Sequence, residues 1–87
     1  MRQPNITVYG STTCPDTRRV TESLDRRQQA FEFKDVDQSP EYDAYIAGLN
    51  QGKRVMPTVQ INNEVYFNPN MEVLEKSLEK AAEELKD

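Results

Sequence analysis

The chemistry in this 87-residue chain converges on one stretch, "YGSTTCPDTRRV", which runs from Tyr9 to Val20 and contains the only cysteine, Cys14. Cys14 stands between a short apolar strand pattern and the start of a helix. A thiol at a helix N-terminus faces unpaired backbone N–H groups and the positive end of the helix dipole, and both favour the thiolate over the thiol. Arg18, one turn further on, adds positive charge if its side chain folds back, whereas the Asp16 carboxylate opposes the anion. A lone cysteine is also at home as a small buried hydrophobe. The Pro15-Asp16 sequence behind it fits an exposed turn better, so the residues favour a reactive sulfur. Three positions on, where a dithiol redox protein would keep its second sulfur, stands Thr17. Its hydroxyl can donate a hydrogen bond to a thiolate but cannot resolve a disulfide. Any redox cycle of Cys14 is therefore expected to be monothiol: attack, mixed disulfide, release by an external thiol. Pro15, Thr17 and Arg18 are the residues expected to support the thiolate.

Composition removes competing chemistries. With one cysteine and no histidine, the chain has no internal disulfide, no Cys-His or Ser-His pair and no multi-cysteine zinc site of its own. A metal site is not expected. The net charge of -4 gives no basic footprint, so nucleic acid is not an expected partner. The opening "MRQPNITVYG" has no apolar run of signal-peptide or membrane-span length. The expectation is a cytoplasmic protein in a thiol-reducing compartment, away from membranes, where a free cysteine persists.

The elements that must position Cys14 follow from pattern. At this length a single domain over residues 1–87 is expected. "NITVY" alternates into a strand that ends at Gly10, and Pro15 opens a helix with Val20 and Leu24 on one face. "FEFKDVD" reads as a second strand through Phe31, Phe33 and Val36. Ser39-Pro40 then reads as the cap and first position of a helix bearing Tyr42, Tyr45, Ile46 and Leu49, which should stop near Gly52. "TVQI" and "EVYF" form a hairpin across Asn62-Asn63. A final helix, capped by Asn68 or Asn70, places Met71, Leu74, Leu78, Ala81, Ala82 and Leu85 in one stripe. The tyrosines of the second helix, the two phenylalanines and the terminal leucines are assigned to the core. The order β-α-β-α-β-β-α implies an α/β fold with a four-stranded mixed sheet, its first two strands parallel and helices on both faces.

With this order in place, the chain resembles the glutaredoxins, a family of the thioredoxin-like fold. The resemblance is carried by "ITVYGSTTC", by the Cys-Pro-x-x turn at Cys14 and Pro15, by "RVMPTVQI" against the family's Thr-Val-Pro signature, and by the hairpin plus terminal helix. It implies thiol-disulfide oxidoreductase activity with Cys14 as nucleophile. It further implies that Pro57 is cis and that Met56 presents free backbone groups to substrate. Tyr9, Arg54 and Val55 would line the thiol-binding cleft with them, Arg54 offering a guanidinium fork to a carboxylate. Arg19, Arg26 and Arg27 are read as solvated surface charges. "NQGKRVMPTV" and "NPNMEVL" are similar to the mycoredoxin branch, which uses mycothiol. Glutathione-dependent members carry Gly-Gly or Gly-Ser and then Asp where this chain has "NPNME". No prosthetic cofactor is implied; the co-substrate is a low-molecular-weight thiol, whether glutathione, mycothiol or bacillithiol. The expected partners are that thiol and disulfide-containing or thiolated proteins, met by a monomer.

Three alternatives use the same residues. A dimeric iron-sulfur carrier would bind its cluster through Cys14 and external thiols, but the Cys-Gly-Phe-Ser pattern of that branch is absent. An arsenate-reductase-like oxyanion reductase would use Cys14, Thr17 and Arg18, though such chains are longer. A thioredoxin-fold module that only binds proteins is the third.

Overall fold

The computed structural model describes residues 4–84. Its elements are β1 (Ile6–Gly10), α1 (Pro15–Arg26), β2 (Glu32–Asp35), α2 (Pro40–Leu49), β3 (Thr58–Ile61), β4 (Glu64–Phe67) and α3 (Met71–Glu84). The sheet order is β2-β1-β3-β4, with β1 parallel to β2 and antiparallel to β3, and with β3 antiparallel to β4. This is the expected mixed sheet.

Alternation along the central strands sorts the core into two layers. Ile6 and Val8 of β1 join Val59 and Ile61 of β3 beneath α1 (Val20, Leu24) and α3 (Leu74, Leu78, Ala81). Phe31, Phe33, Tyr66 and Met71 pack around this layer, partly buried. Tyr9 points to the opposite face and meets Val36 and Ile46, with Tyr42 and Met56 at the margin. Helices thus cover both faces, but unequally. Ile46 is the only buried residue of α2. That imbalance corrects the expectation for Tyr45, which is 45% exposed rather than in the core, and leaves Leu49 38% exposed. A ten-residue helix over a three-residue cluster leaves its flanks in solvent. Tyr45 sits on the rim, its ring 5.3 Å from Tyr9 and its hydroxyl accepting from Gln60 Nε2 at 2.9 Å. Ala82 is likewise exposed, and Leu85 lies outside the described residues.

Local signals fix the element ends. Gln51 and Gly52 take φ of 57° and 87°, and Gly52 N–H donates to the Ala47 carbonyl at 2.7 Å to close α2. Asn62 takes φ of 55° in the hairpin. Asn70, rather than Asn68, caps α3: its Oδ1 accepts from Val73 N–H at 2.8 Å. Ser39 stands at the cap of α2 as expected, but makes no side-chain capping bond. Among the described residues, no helix is long and apolar enough to cross a membrane.

Candidate active site

The path from β1 to α1 presents the thiol. Cys14 occupies the N-cap of α1, with Pro15 in the first turn, and its carbonyl accepts from Arg18 N–H at 3.1 Å. Its own N–H donates to the Ser11 carbonyl at 3.1 Å, so the loop from Ser11 to Cys14 closes as a turn. Ser11 Oγ donates to the Asp37 carboxylate, pairs with Thr13 Oγ1 at 2.9 Å and accepts from Thr13 N–H at 3.3 Å. Asp37 thereby ties the thiol loop to the end of β2.

The sulfur is partly exposed, and its ionisation is displaced below the ordinary value of 9.0. The largest cause is the backbone N–H of Thr17; burial opposes it, and the Thr17 hydroxyl and the Asp16 N–H add to it. The Asp16 charge acts the other way. These are the unpaired first-turn donors of a helix used on an anion. Thr17 is 1% exposed, and its Oγ1 accepts from Ser11 N–H at 3.3 Å, which leaves the hydroxyl proton for the sulfur. Gly10 makes room for it, since a Cβ there would lie 2.4 Å from Thr17 Oγ1 and 2.6 Å from Thr17 Cγ2.

The second arm of the site approaches from β3. Tyr9 pairs with Thr58, so Pro57 lies level with Gly10 at the end of the sheet from which the chain runs to Cys14. The Met56–Pro57 peptide is cis and Pro57 is buried. Thr58 Oγ1 donates to the Val55 carbonyl at 2.8 Å, and the Pro57 carbonyl accepts from Asn68 N–H at 2.7 Å. Neither the N–H nor the carbonyl of Met56 pairs with another described residue.

The remaining candidates divide. Arg54 forms an ion pair with Asp43 of α2 and donates to Met56 Sδ at 3.6 Å, so its guanidinium is engaged within the chain. Arg18 is exposed and lies along a groove of about 220 Å³ formed with Thr12, Thr17, Thr21, Phe31 and Phe33. It is not among the main causes of the thiol's lowered ionisation. Tyr9, only 9% exposed, lies beneath Tyr42 and Tyr45, and burial raises its phenol above 10.0. Cys14, Pro15, Thr17, Met56 and Pro57 thus gather at one end of the sheet, while Arg54 turns towards α2 and Tyr9 serves packing.

Sequence reading missed three residues of this end. Ser11 and Asp37 hold the loop without any periodic signal. Asn68, read as a possible cap, instead takes φ of 44° and bridges elements. Its Nδ2 donates to Asp16 Oδ2 at 3.3 Å, and its Oδ1 accepts from Arg19 at 3.0 Å. Arg19, expected to be a solvated charge, also donates to the Pro69 carbonyl at 3.2 Å and lies 3.7 Å from Asp16 Oδ1.

A parallel β1–α1–β2 unit, an antiparallel hairpin, a cysteine at the first helix start and a proline before β3 define a protein of the thioredoxin-like fold. Comparison with known proteins agrees. The glutaredoxin family model matches residues 6–66. Mycoredoxin 1 of Corynebacterium glutamicum is 34% identical over 59 residues, 68% of this chain and 72% of the relative. Among solved structures, a mutant of a thioredoxin-like protein superposes with a TM-score of 0.76 at 28% identity, covering 86% of this chain and 95% of the other. The buckwheat glutaredoxin–glutathione complex does so with a TM-score of 0.72 at 25% identity, covering 91% of this chain and 80% of the other. The chain belongs to the glutaredoxin family of thiol-disulfide oxidoreductases.

Proposed function

We propose that this chain, acting as a single monomeric domain in the cytoplasm, is a monothiol oxidoreductase that removes a low-molecular-weight thiol from protein cysteines. The Cys14 thiolate attacks the small-thiol sulfur of a protein mixed disulfide; the new bond joins Cys14 to the small thiol, and the protein sulfur leaves as a thiolate and takes up a proton. A second molecule of the small thiol, as its thiolate, then attacks the sulfur bound to Cys14 and releases the Cys14 thiolate and the symmetric small-molecule disulfide. Oxidation state balances, because each exchange breaks one disulfide and makes one. The observation that carries this reading is a lone, partly exposed sulfur at a helix start, its ionisation lowered chiefly by the Thr17 N–H, with no second thiol in the chain.

Met56 supplies the edge on which the substrate lies, its N–H and carbonyl pairing with the substrate backbone as an added strand. Mycothiol, a sugar-based thiol without carboxylates, is the preferred small thiol over glutathione and bacillithiol. The relationship to a mycoredoxin supports this, as does the engagement of Arg19 and Arg54 with partners in the chain itself. The test is mass spectrometry of protein incubated with the disulfides of the three thiols. One adduct on Cys14 is expected, forming fastest with mycothiol; the absence of any adduct would overturn the reading. Thr17→Cys is the companion experiment, since Cys-Pro-x-Cys spans one helical turn. The variant should reduce one disulfide without added thiol and then stall as its internal disulfide. The unaltered protein should depend wholly on added small thiol, and turnover without it would replace the monothiol cycle.

A further inference from the structure

We propose that Asn68 and Arg19 are positioning residues for the exchange at Cys14: together they hold the Asp16 carboxylate against the Asn68–Pro69 segment, so that the one anion in the thiol's own helical turn opposes the thiolate less than a free carboxylate would. The inference rests on Cys14 being the nucleophile and concerns the charge beside it.

Both Asp16 oxygens are occupied from this side. Oδ2 accepts from Asn68 Nδ2 at 3.3 Å, and Oδ1 lies 3.7 Å from the Arg19 guanidinium. Arg19 is itself held in place, donating to Asn68 Oδ1 at 3.0 Å and to the Pro69 carbonyl at 3.2 Å. The segment that supplies these partners is anchored through the Asn68 N–H on the Pro57 carbonyl at 2.7 Å. The clamp therefore links the start of α1, the turn before β3 and the approach to α3 through one residue, Asn68, by its side chain and its backbone N–H. Donors on a carboxylate spread its charge and limit its motion, which weakens its field at a neighbouring sulfur.

The other charged groups around this end leave Asp16 as the one to control. Arg18 on α1 runs along the Phe31 and Phe33 groove, Asp37 after β2 is taken by Ser11, and Arg54 before β3 is paired with Asp43. Lys53, beside Arg54, is exposed. Among the main causes that set the thiol's ionisation, Asp16 acts through its charge.

The test is the pH dependence of Cys14 alkylation by iodoacetamide in the full chain. Asn68→Gly keeps the left-handed backbone and removes the side chain; Arg19→Gln removes the cation from another element. Each should raise the midpoint and slow alkylation at pH 7 by about two- to threefold, the scale of an exposed charge interaction. Asp16→Asn should lower the midpoint, and in that background Asn68→Gly should move it no further. Unchanged midpoints in both single variants would overturn the clamp. So would an Asn68→Gly shift of equal size with and without the Asp16 charge, since that would make Asn68 merely structural. Alkylation needs no disulfide substrate, so failure to form any small-thiol adduct would sink the proposed function and leave this result standing.

Discussion

At Cys14 the decisive quantity is how many donors reach the sulfur. The Thr17 backbone N–H contributes most and the Thr17 hydroxyl less, so the two can be separated by mutation. Thr17→Val keeps the backbone donor and removes the hydroxyl. Its alkylation midpoint should rise above that of the unaltered protein yet stay below that of a free cysteine, measured by alkylation rate against pH. The variant also strands the Ser11 N–H that Thr17 Oγ1 accepts at 3.3 Å. A buried donor left without a partner costs about 1–3 kcal/mol, which thermal melting should register. A midpoint unmoved by Thr17→Val would mean that the hydroxyl does not reach the sulfur.

Where β1 meets α1, packing sets the limit. Gly10 takes no left-handed conformation; it is needed because Thr17 occupies the space a Cβ would fill, 2.4 Å from Oγ1. Gly10→Ala must therefore push α1 away from β1 or rotate Thr17 off its bond to Ser11. The expected cost is about 1–3 kcal/mol, with slower mixed-disulfide formation because the thiol loop moves with the helix. Adding Thr17→Ala leaves only the residue-17 Cβ, 3.1 Å from the new methyl, and should recover part of the lost stability. A strictly additive double variant in a denaturant titration would show that the two positions do not meet. The strand, the helix and the cysteine between them were legible in "ITVYGSTTCPD", because alternation, Pro at a first turn and a helix-start thiol are local signals. The Gly10–Thr17 contact was not, because it depends on the angle at which the helix leaves the sheet.

For the whole molecule, stability and ionisation are linked. Since folding lowers the Cys14 ionisation below its ordinary 9.0, the folded state holds fewer protons than the unfolded chain between those two values. This contribution is fully present above the unfolded value and is lost as pH falls through the folded one. The melting temperature of the unaltered protein relative to Cys14→Ser should therefore rise as pH increases towards 9. Above about 10 the buried Tyr9 acts oppositely in both proteins: its phenol is held neutral by burial, so folding is opposed as pH rises. A flat difference between the two proteins from pH 6 to 9 would count against a folded-state thiolate. The main core should respond independently of pH. Leu24, fully buried in the layer shared by α1, α3 and the sheet, should cost about 2–5 kcal/mol as Leu24→Ala, read from the shift in denaturation midpoint.

What the residue order determines by itself is whatever short-range physics encodes. Apolar alternation marked β1, β3 and β4; Pro15 and Pro40 marked two helix starts and Asn68 or Asn70 the third; Gly52 and Asn62 marked turns; one cysteine without a histidine excluded an internal disulfide and any Cys-His pair. What the tertiary structure decided are the consequences of elements meeting at particular distances. Tyr45 and Leu49 face solvent because α2 covers a three-residue cluster rather than a full core. Arg54 turns to Asp43, Asp37 holds Ser11, and Asn68 reaches 52 positions back to Asp16. Such contacts leave no periodic trace, because a side chain's partner across a fold depends on how the sheet, its helices and its loops pack and not on the spacing of its neighbours in the chain.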